Sequence, residues 1–383
     1  MHQTKLLSSR RLRRTPFTDR VEALGVRDFT VVNHMLLPKG FGRTVSEDYW
    51  HLRTHVQLWD VGCQRQVEIA GPQAKAFVQR LTPRDLGALR YGQALYVPLT
   101  DERGGMVNDP VLLQVGSNRL WFSIADSDVL LWAKGFALGT GAQVEIDEPD
   151  VYPLAVQGPK AMDLVARVFG DGVRELRYFG FDRFDFRGHP LLICRSGYSK
   201  QGGVEIYVDD WSLGGELWDV LWEAGQPFQI SPGCPNLPER VEGGLLSYGN
   251  DMTRENNPFE CGLGRWCTTD GSIDYIGREA LANIADPGPE RQVRGVWLRA
   301  EECPVCSEPW PVTVDGRWCG QVTTAAYSPR LKAIVGIAMM EKYAWEPGTS
   351  VRVTSSEGCD FEGVVTTLPF PDLPPSELTA PRQ

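Results

Sequence analysis

Two stretches of this 383-residue chain share one local grammar, and they constrain the fold more than any other feature. The segments VEIAGPQAKAFVQRL (67–81) and PLAVQGPKAMDLVARVF (153–169) each run from an apolar strand through Gly-Pro into an amphipathic helix. Ala74, Phe77, Val78 and Leu81 fall at helical spacing, as do Leu164, Val165 and Val168. Pro72 and Pro159 suit the first helical position, where a missing N–H costs nothing. Gly71 and Gly158 lie 87 residues apart. That period is too long for a solenoid and suits two related αβ subdomains.

The rest of the chain changes character in steps. A further helix is expected over GGELWDVLWEAG (214–225), ending at Gly225. The proline-rich run after it, 226–244, reads as a structured connection rather than a strand or helix. DPGPER (286–291) is the clearest linker. Beyond it lie short strands divided by turn signals, including the Asp315-Gly316 turn, which predict a small all-β barrel or sandwich. The expected organisation is therefore α+β. A first αβ subdomain covers 1–145, a second covers 146–285, a β-barrel covers 290–370, and 371–383 is a proline-rich disordered tail.

A formal net charge of −10 argues against an extended phosphate-binding surface, and so against nucleic acid as a partner. No apolar run reaches membrane-spanning length, and no apolar segment follows the basic Arg10, Arg11, Arg13 and Arg14. A cytoplasmic protein without a membrane partner is the expectation. Nine cysteines in odd number and irregular spacing do not make a disulfide framework. Cys303 and Cys306 form one CxxC with no second pair nearby, so no metal is expected.

The chemistry concentrates in CRSGYSKQGGVEIYVDD (194–210). Gly197, Gly202 and Gly203 allow a tight turn, and the strand after it alternates. Val204, Ile206 and Val208 face one way; Glu205 and Tyr207 face the other, roughly 7 Å apart. The bland reading is a half-buried strand showing Glu and Tyr to water. Two glycines abutting the strand suit close approach of a ligand.

This segment resembles the R-T-G-Y-T-G-E-x-G-x-E-I signature of the glycine-cleavage T-protein and its folate-dependent relatives. LTDERGGMVNDPVLL (99–113), ERVEGGLLSYGNDMTRENNPFECGLG (239–264) and GQVTTAAYSPRLKAIVGIAMM (320–340) are similar to three further motifs of that family, in order. The resemblance implies an aminomethyltransferase-like fold, with two αβ subdomains around a folate channel and a C-terminal barrel. It implies tetrahydrofolate as the one-carbon acceptor. Glu205 would hold the pterin through two parallel N–H bonds. Arg240 would be a second folate contact, with a salt bridge to Glu242 or a neighbouring carboxylate as its plain alternative. Trp266 counts as a further cofactor-binding residue.

Two departures from the family pattern matter. Its acidic pair becomes Asn108-Asp109, the catalytic candidates here, and Gln201 stands where the family has Glu. An amide orients but takes no proton at neutral pH. The N-terminal run SRRLRRTPFTDRVEALGV and the stretches LWDVGCQRQVEI and GNDMTRENNPFECGL are similar to the tetrahydrofolate-dependent dimethylsulfoniopropionate demethylases. Their reaction suits Asn108. A sulfonium methyl is already activated, and its thioether leaving group needs no general acid.

That resemblance implies methyl transfer from dimethylsulfoniopropionate to tetrahydrofolate, giving methyltetrahydrofolate and methylmercaptopropionate. A sulfonium is best held by ring faces, which nominates Tyr198 and Tyr207, with Tyr178, Phe179 and Phe181 as further walls. A core-facing strand is the plain alternative for RYFGFDRFDF (177–186). Lys39 and Lys200 are candidates for the substrate carboxylate, neither marked by a motif, and His34 is either a polar pocket group or an ordinary structural histidine. The competing readings are an aminomethyltransferase or N-demethylase acting on methylated amines, and a non-catalytic folate-binding scaffold. A homodimer stays open.

Overall fold

The computed structural model describes residues 9–372. They form two compact units. Unit 1 comprises the described residues up to Val78, Leu86–Tyr96 and Pro110–Asn236; unit 2 comprises Gln79–Asp85, Val97–Asp109 and the described residues from Leu237 on.

Unit 1 holds a two-stranded sheet, Asp28–Val32 with Met35–Lys39, and two larger sheets, each of which carries one copy of the sequence repeat. In the five-stranded sheet, strand Gln66–Ala70 leads through Gly71-Pro72 into helix Ala74–Gln79. In the six-stranded sheet, strand Tyr152–Gln157 leads through Gly158-Pro159 into helix Ala161–Phe169. The two turns are alike in detail. Both glycines have φ +118°. In each turn the amide three residues on, Ala74 or Ala161, donates to the glycine carbonyl at 3.0 Å. The prolines therefore occupy the second position of a β-turn, where φ near −65° is required, and not the first helical position. At Gly158 a Cβ would run into the His55 carbonyl, so this position tolerates only glycine.

Helix Trp211–Gly225 ends at Gly225, as its pattern predicts. The run after it corrects the sequence expectation. Ile230–Gly233 is a strand pairing in parallel with Val56–Asp60, and Leu237–Glu242 is a short helix. Pro232 fits because its strand is at the sheet edge, where a missing N–H leaves no ladder bond unmade. Pro238 fits because it stands in the first turn of its helix. The strand Gly203–Val208 sits inside the six-stranded sheet, antiparallel to both Tyr152–Gln157 and His189–Cys194. Val204, Ile206 and Val208 pack under Leu164, Val165, Leu217, Trp218 and Leu221 of the two helices.

In unit 2, Arg291–Leu298 opens a closed six-stranded barrel that ends with Asp360–Thr366. Asp315 and Gly316 form the two-residue hairpin turn between Trp310–Val314 and Arg317–Ser328, with φ of 49° and 77°. The barrel core includes Val296, Leu298, Trp310, Val312, Ile334, Met340 and Val353. Of the expected tail, 373–383 lie outside the described residues. Phe370 before it is buried against Trp297 at a ring distance of 5.0 Å, so this proline-rich end begins as part of the barrel. All nine cysteines are free thiols. No described helix is long and apolar enough to cross a membrane.

Candidate active site

In unit 1 the site grows out of the bend before Glu205. Gln157, at the end of its strand, donates through Nε2 to the carbonyls of Ser196 and Val204 and accepts from the Ser199 hydroxyl at 2.7 Å. A Cβ at Gly197 (φ +150°) or Gly203 (φ +133°) would collide with this same Gln157 side chain or the Val156 carbonyl. The glycines thus let one buried amide knot the bend. The bend then places the Ser196 hydroxyl on Glu205, donating to Oε2 at 2.5 Å.

Glu205 is only 6% exposed. Burial pushes its carboxyl above the ordinary 4.5, and the Ser196 bond opposes that shift. The Glu205 charge also raises the Tyr207 phenol, for which burial is the larger cause. The water-facing reading of this strand is therefore overturned: every residue from Gly203 to Val208 is buried.

Tyr207 lies on the Glu205 face, but its ring belongs to a packed cluster with Ala94, Leu113, Trp121, Phe181 and Leu192. Its centroid is 6.2 Å from that of Trp121. The Tyr207 hydroxyl is buried with no hydrogen-bond partner among the described residues, while the Ser123 hydroxyl beside it eases the effect of burial. A buried phenol without a partner is costly, and it is the type of group a bound ligand satisfies.

The aromatic run 177–186 is partly core and partly exposed. Phe181 and Phe186 are core residues of strand Phe181–Phe186, while Tyr178 stays 72% exposed in the turn before it. Phe179, with φ +57°, packs its ring edge-to-face on Tyr178 at 4.7 Å. Its amide donates to the Arg195 carbonyl, and its own carbonyl accepts from Ala94. Tyr198 is half-buried within the bend, and Lys200 is exposed. His34 and Lys39 are exposed too. His34 forms a hairpin turn with Asn33, φ 51° and 63°, so its place is explained by the turn.

Unit 2 carries the remaining candidates. Asn108 is fully buried at the end of strand Met106–Asn108, paired with Leu99. Its strand is fixed by the Met106 amide on the Asn256 carbonyl at 2.8 Å and by the Tyr248 hydroxyl on the Met106 carbonyl at 3.0 Å. Asp109 follows, partly exposed, and its charge is one cause of the raised Tyr248 phenol and Cys261 thiol.

Arg240 pairs with a neighbouring carboxylate, Asp251. Its Nη1 contacts Asp251 at 2.6 Å and the Leu245 carbonyl at 2.7 Å, and Nη2 contacts Thr324 at 3.0 Å. Thr323 and Thr324 both donate to the other Asp251 oxygen. Glu242 instead receives Ser328 and Arg330. The R-x-E motif therefore pins the helix Leu237–Glu242 onto the barrel. Trp266 closes a short 3-10 helix, and the guanidiniums of Arg265 and Arg84 lie 4.2 Å and 5.6 Å from its ring centroid.

Sequence reasoning missed Ser196, Gln157 and Asp251. A Ser two residues before the bend tyrosine carries no pattern of its own, and Gln157 comes from the distant repeat strand. Among the described residues no His/Cys/Asp/Glu group could hold a metal.

Comparisons with known proteins bear on the family and the fold. A family model described as the GCVT N-terminal domain matches residues 17–271, and one described as the glycine cleavage T-protein C-terminal barrel domain matches 291–372. A dimethylsulfoniopropionate demethylase, DmdA, of Ruegeria pomeroyi is 50% identical over 353 residues, covering 92% of this chain and 96% of that protein. An aminomethyltransferase of Bacillus subtilis is 31% identical, covering 89% of this chain and 94% of its own. The solved glycine cleavage aminomethyltransferase T of Bartonella henselae superposes with a TM-score of 0.84, covering 94% of this chain and 98% of its own. At 22% identity it bears on the fold alone.

Proposed function

The chain belongs to the glycine cleavage T-protein family, whose two domain models take in residues 17–271 and 291–372, and from that premise we propose its reaction and the residues that serve it. It is a tetrahydrofolate-dependent methyltransferase. It moves one methyl group from the sulfonium of dimethylsulfoniopropionate to tetrahydrofolate, releasing methylmercaptopropionate, methyltetrahydrofolate and a proton. The supporting relative is the demethylase at 50% identity along 92% of the chain.

The residues fit a pterin. Glu205 is a buried acceptor with one oxygen already held by Ser196, so its carboxylate is oriented before anything binds. Two N–H donors from a pterin edge are the partners such a carboxylate lacks. Bound donors would also offset the burial that raises its pKa. Ser196 and Gln157 are positioning residues for it. The folate nitrogen supplies the nucleophile.

The sulfonium asks for little from the protein. Its leaving group is a neutral thioether, so no side chain has to donate a proton. Catalysis rests on alignment and exclusion of water. We assign Tyr198, Tyr178 and Phe179 as ring faces toward the cation. Phe181 and Tyr207 back them from the core, and the unpartnered Tyr207 hydroxyl is a polar contact for bound ligand. Asn108 orients by hydrogen bonding, with Asp109 beside it. Arg240 acts on binding through the helix it pins, and Trp266 is a folate-facing ring.

Purified protein given tetrahydrofolate and dimethylsulfoniopropionate should form methyltetrahydrofolate and methylmercaptopropionate in equal amounts. Turnover of sarcosine or dimethylglycine with no product from the sulfonium would overturn the assignment.

A further inference from the structure

The two Gly-Pro turns of unit 1 share a backbone shape but differ in how their third residue is anchored. In the first, Gln73 Oε1 accepts from the Gln143 amide at 2.8 Å, a neutral bond at any pH. In the second the equivalent residue is Lys160, and its Nζ donates to His55 Nδ1 at 2.9 Å. That bond needs a neutral imidazole, because only an unprotonated Nδ1 can accept. His55 also caps the C-terminal end of helix Val45–Thr54. Such a helix end favours one nearby cation, and Lys160 already supplies it. Protonating His55 would remove the acceptor and set a second positive charge against the first.

The charges around the pair act in the same sense. His55 faces Lys160 from the turn and His51 from its own helix, the two imidazole centroids lying 5.0 Å apart. His51 in turn faces Arg43 and Asp48, and its Nε2 lies 2.9 Å from the Gln229 carbonyl. Burial first, and the Lys160 charge second, hold the His55 imidazole below its ordinary 6.5.

A short run of bonds joins this pair to Glu205. The Lys160 amide donates to the His55 carbonyl at 3.3 Å, and the Gly158 amide donates to the Gly202 carbonyl at 3.0 Å. Gln157, one residue before that glycine, knots the bend through Ser196 and Ser199, and Ser196 holds Glu205. All of these residues belong to unit 1.

We propose that His55 is a positioning residue for the methyl transfer: its neutral ring holds Lys160 and with it the Gly158 turn, and its protonation loosens the bend that orients Glu205. The inference rests on the assignment of Glu205 to the pterin and adds an acid-sensitive latch to it. The latch is closed above pH 6.5 and opens as pH falls through the lowered His55 value.

Tetrahydrofolate affinity is measured at pH 8 and pH 5 for the parent, His55→Gln and Lys160→Met, with melting curves to establish folding. Gln keeps a neutral acceptor for Lys160 at both pH values, and Met removes the second cation. The affinity lost between pH 8 and pH 5 should be roughly fivefold larger in the parent than in either variant, the remainder belonging to Glu205 itself. An NMR titration of the His55 ring should give a value below 6.5 in the parent that moves upward in Lys160→Met. An equal acid loss in all three proteins, or a His55 value unmoved in Lys160→Met, would overturn the proposal. Variants that melt earlier but keep the parent's pH dependence of affinity would overturn it too, by leaving the contact a structural one. If Glu205→Gln binds folate as tightly as the parent, the reading beneath the proposal fails instead, whatever His55 does.

Discussion

Glu205→Gln is the most informative single change, because it keeps the shape and removes only the charge. In the parent, Oε2 is held by Ser196 at 2.5 Å and the carboxyl is buried. The amide oxygen of Gln can still accept from Ser196, so the bend stays intact. A pterin edge would lose two charge-assisted bonds, each worth about 1.5–3 kcal/mol. One of the two can be kept in weakened neutral form, so the net loss is about 2–4 kcal/mol. That corresponds to roughly 30- to 1000-fold in folate affinity.

The sign of the pH effect is fixed by the same observation. Burial raises the Glu205 pKa above 4.5, and only the ionised form accepts two donors. Folate affinity should therefore be full above that raised pKa and lost as pH falls through it. The loss begins at higher pH than an ordinary carboxylate allows. In Glu205→Gln the affinity should be weak and free of this pH dependence. Titration calorimetry at several pH values, alongside a melting curve to establish folding, provides the assay. An affinity within threefold of the parent at neutral pH would refute the assignment of Glu205 to the pterin.

Other expectations follow from the same geometry. Arg240→Met should cost about 3–5 kcal/mol of stability in chemical denaturation, because it strands Asp251 in the interior; Asp251→Asn added to it should recover part of that loss. Tyr207→Phe removes a buried hydroxyl without a partner, so stability should hold or rise by about 1 kcal/mol while the KM for the sulfonium or folate increases; unchanged kinetics would remove the hydroxyl from the site. Asp60, raised by burial from 3.8 to about 7 against its Thr15 and Gly62 bonds, favours folding in its protonated form. Stability should be greatest at low pH on its account and decline by up to about 4 kcal/mol as pH rises toward 7, and Asp60→Asn should flatten that decline. Asn108→Asp should not raise turnover; a large gain would mean that the reaction needs a base there.

What could be read in the sequence was what local chemistry determines. Gly71-Pro72 and Gly158-Pro159 announce the repeat because one backbone turn requires both residue types, and Asp315-Gly316 announces a hairpin for the same reason. The face shared by Glu205 and Tyr207 follows from strand alternation. What covers that face does not follow, since Trp121 and Leu113 come from strands of the other sheet. Arg240 had a carboxylate two residues away, yet Asp251 and Thr324 claim it from farther along the chain. Pro232 disguised an edge strand, because the rule against proline in strands weakens where no neighbour needs the N–H. Nor could spacing show that 79–85 and 97–109 group with residues after 237, since that grouping is made only by long-range contacts.

Dimethylsulfoniopropionate carrying carbon-13 in its S-methyl groups, followed by NMR in the presence of protein and tetrahydrofolate, reports directly on where the one-carbon unit goes. A single new N-methyl resonance on folate, growing at the rate the sulfonium signal decays, is the predicted result. Label arriving as a methylene or formaldehyde carbon, or none reaching folate, would contradict it.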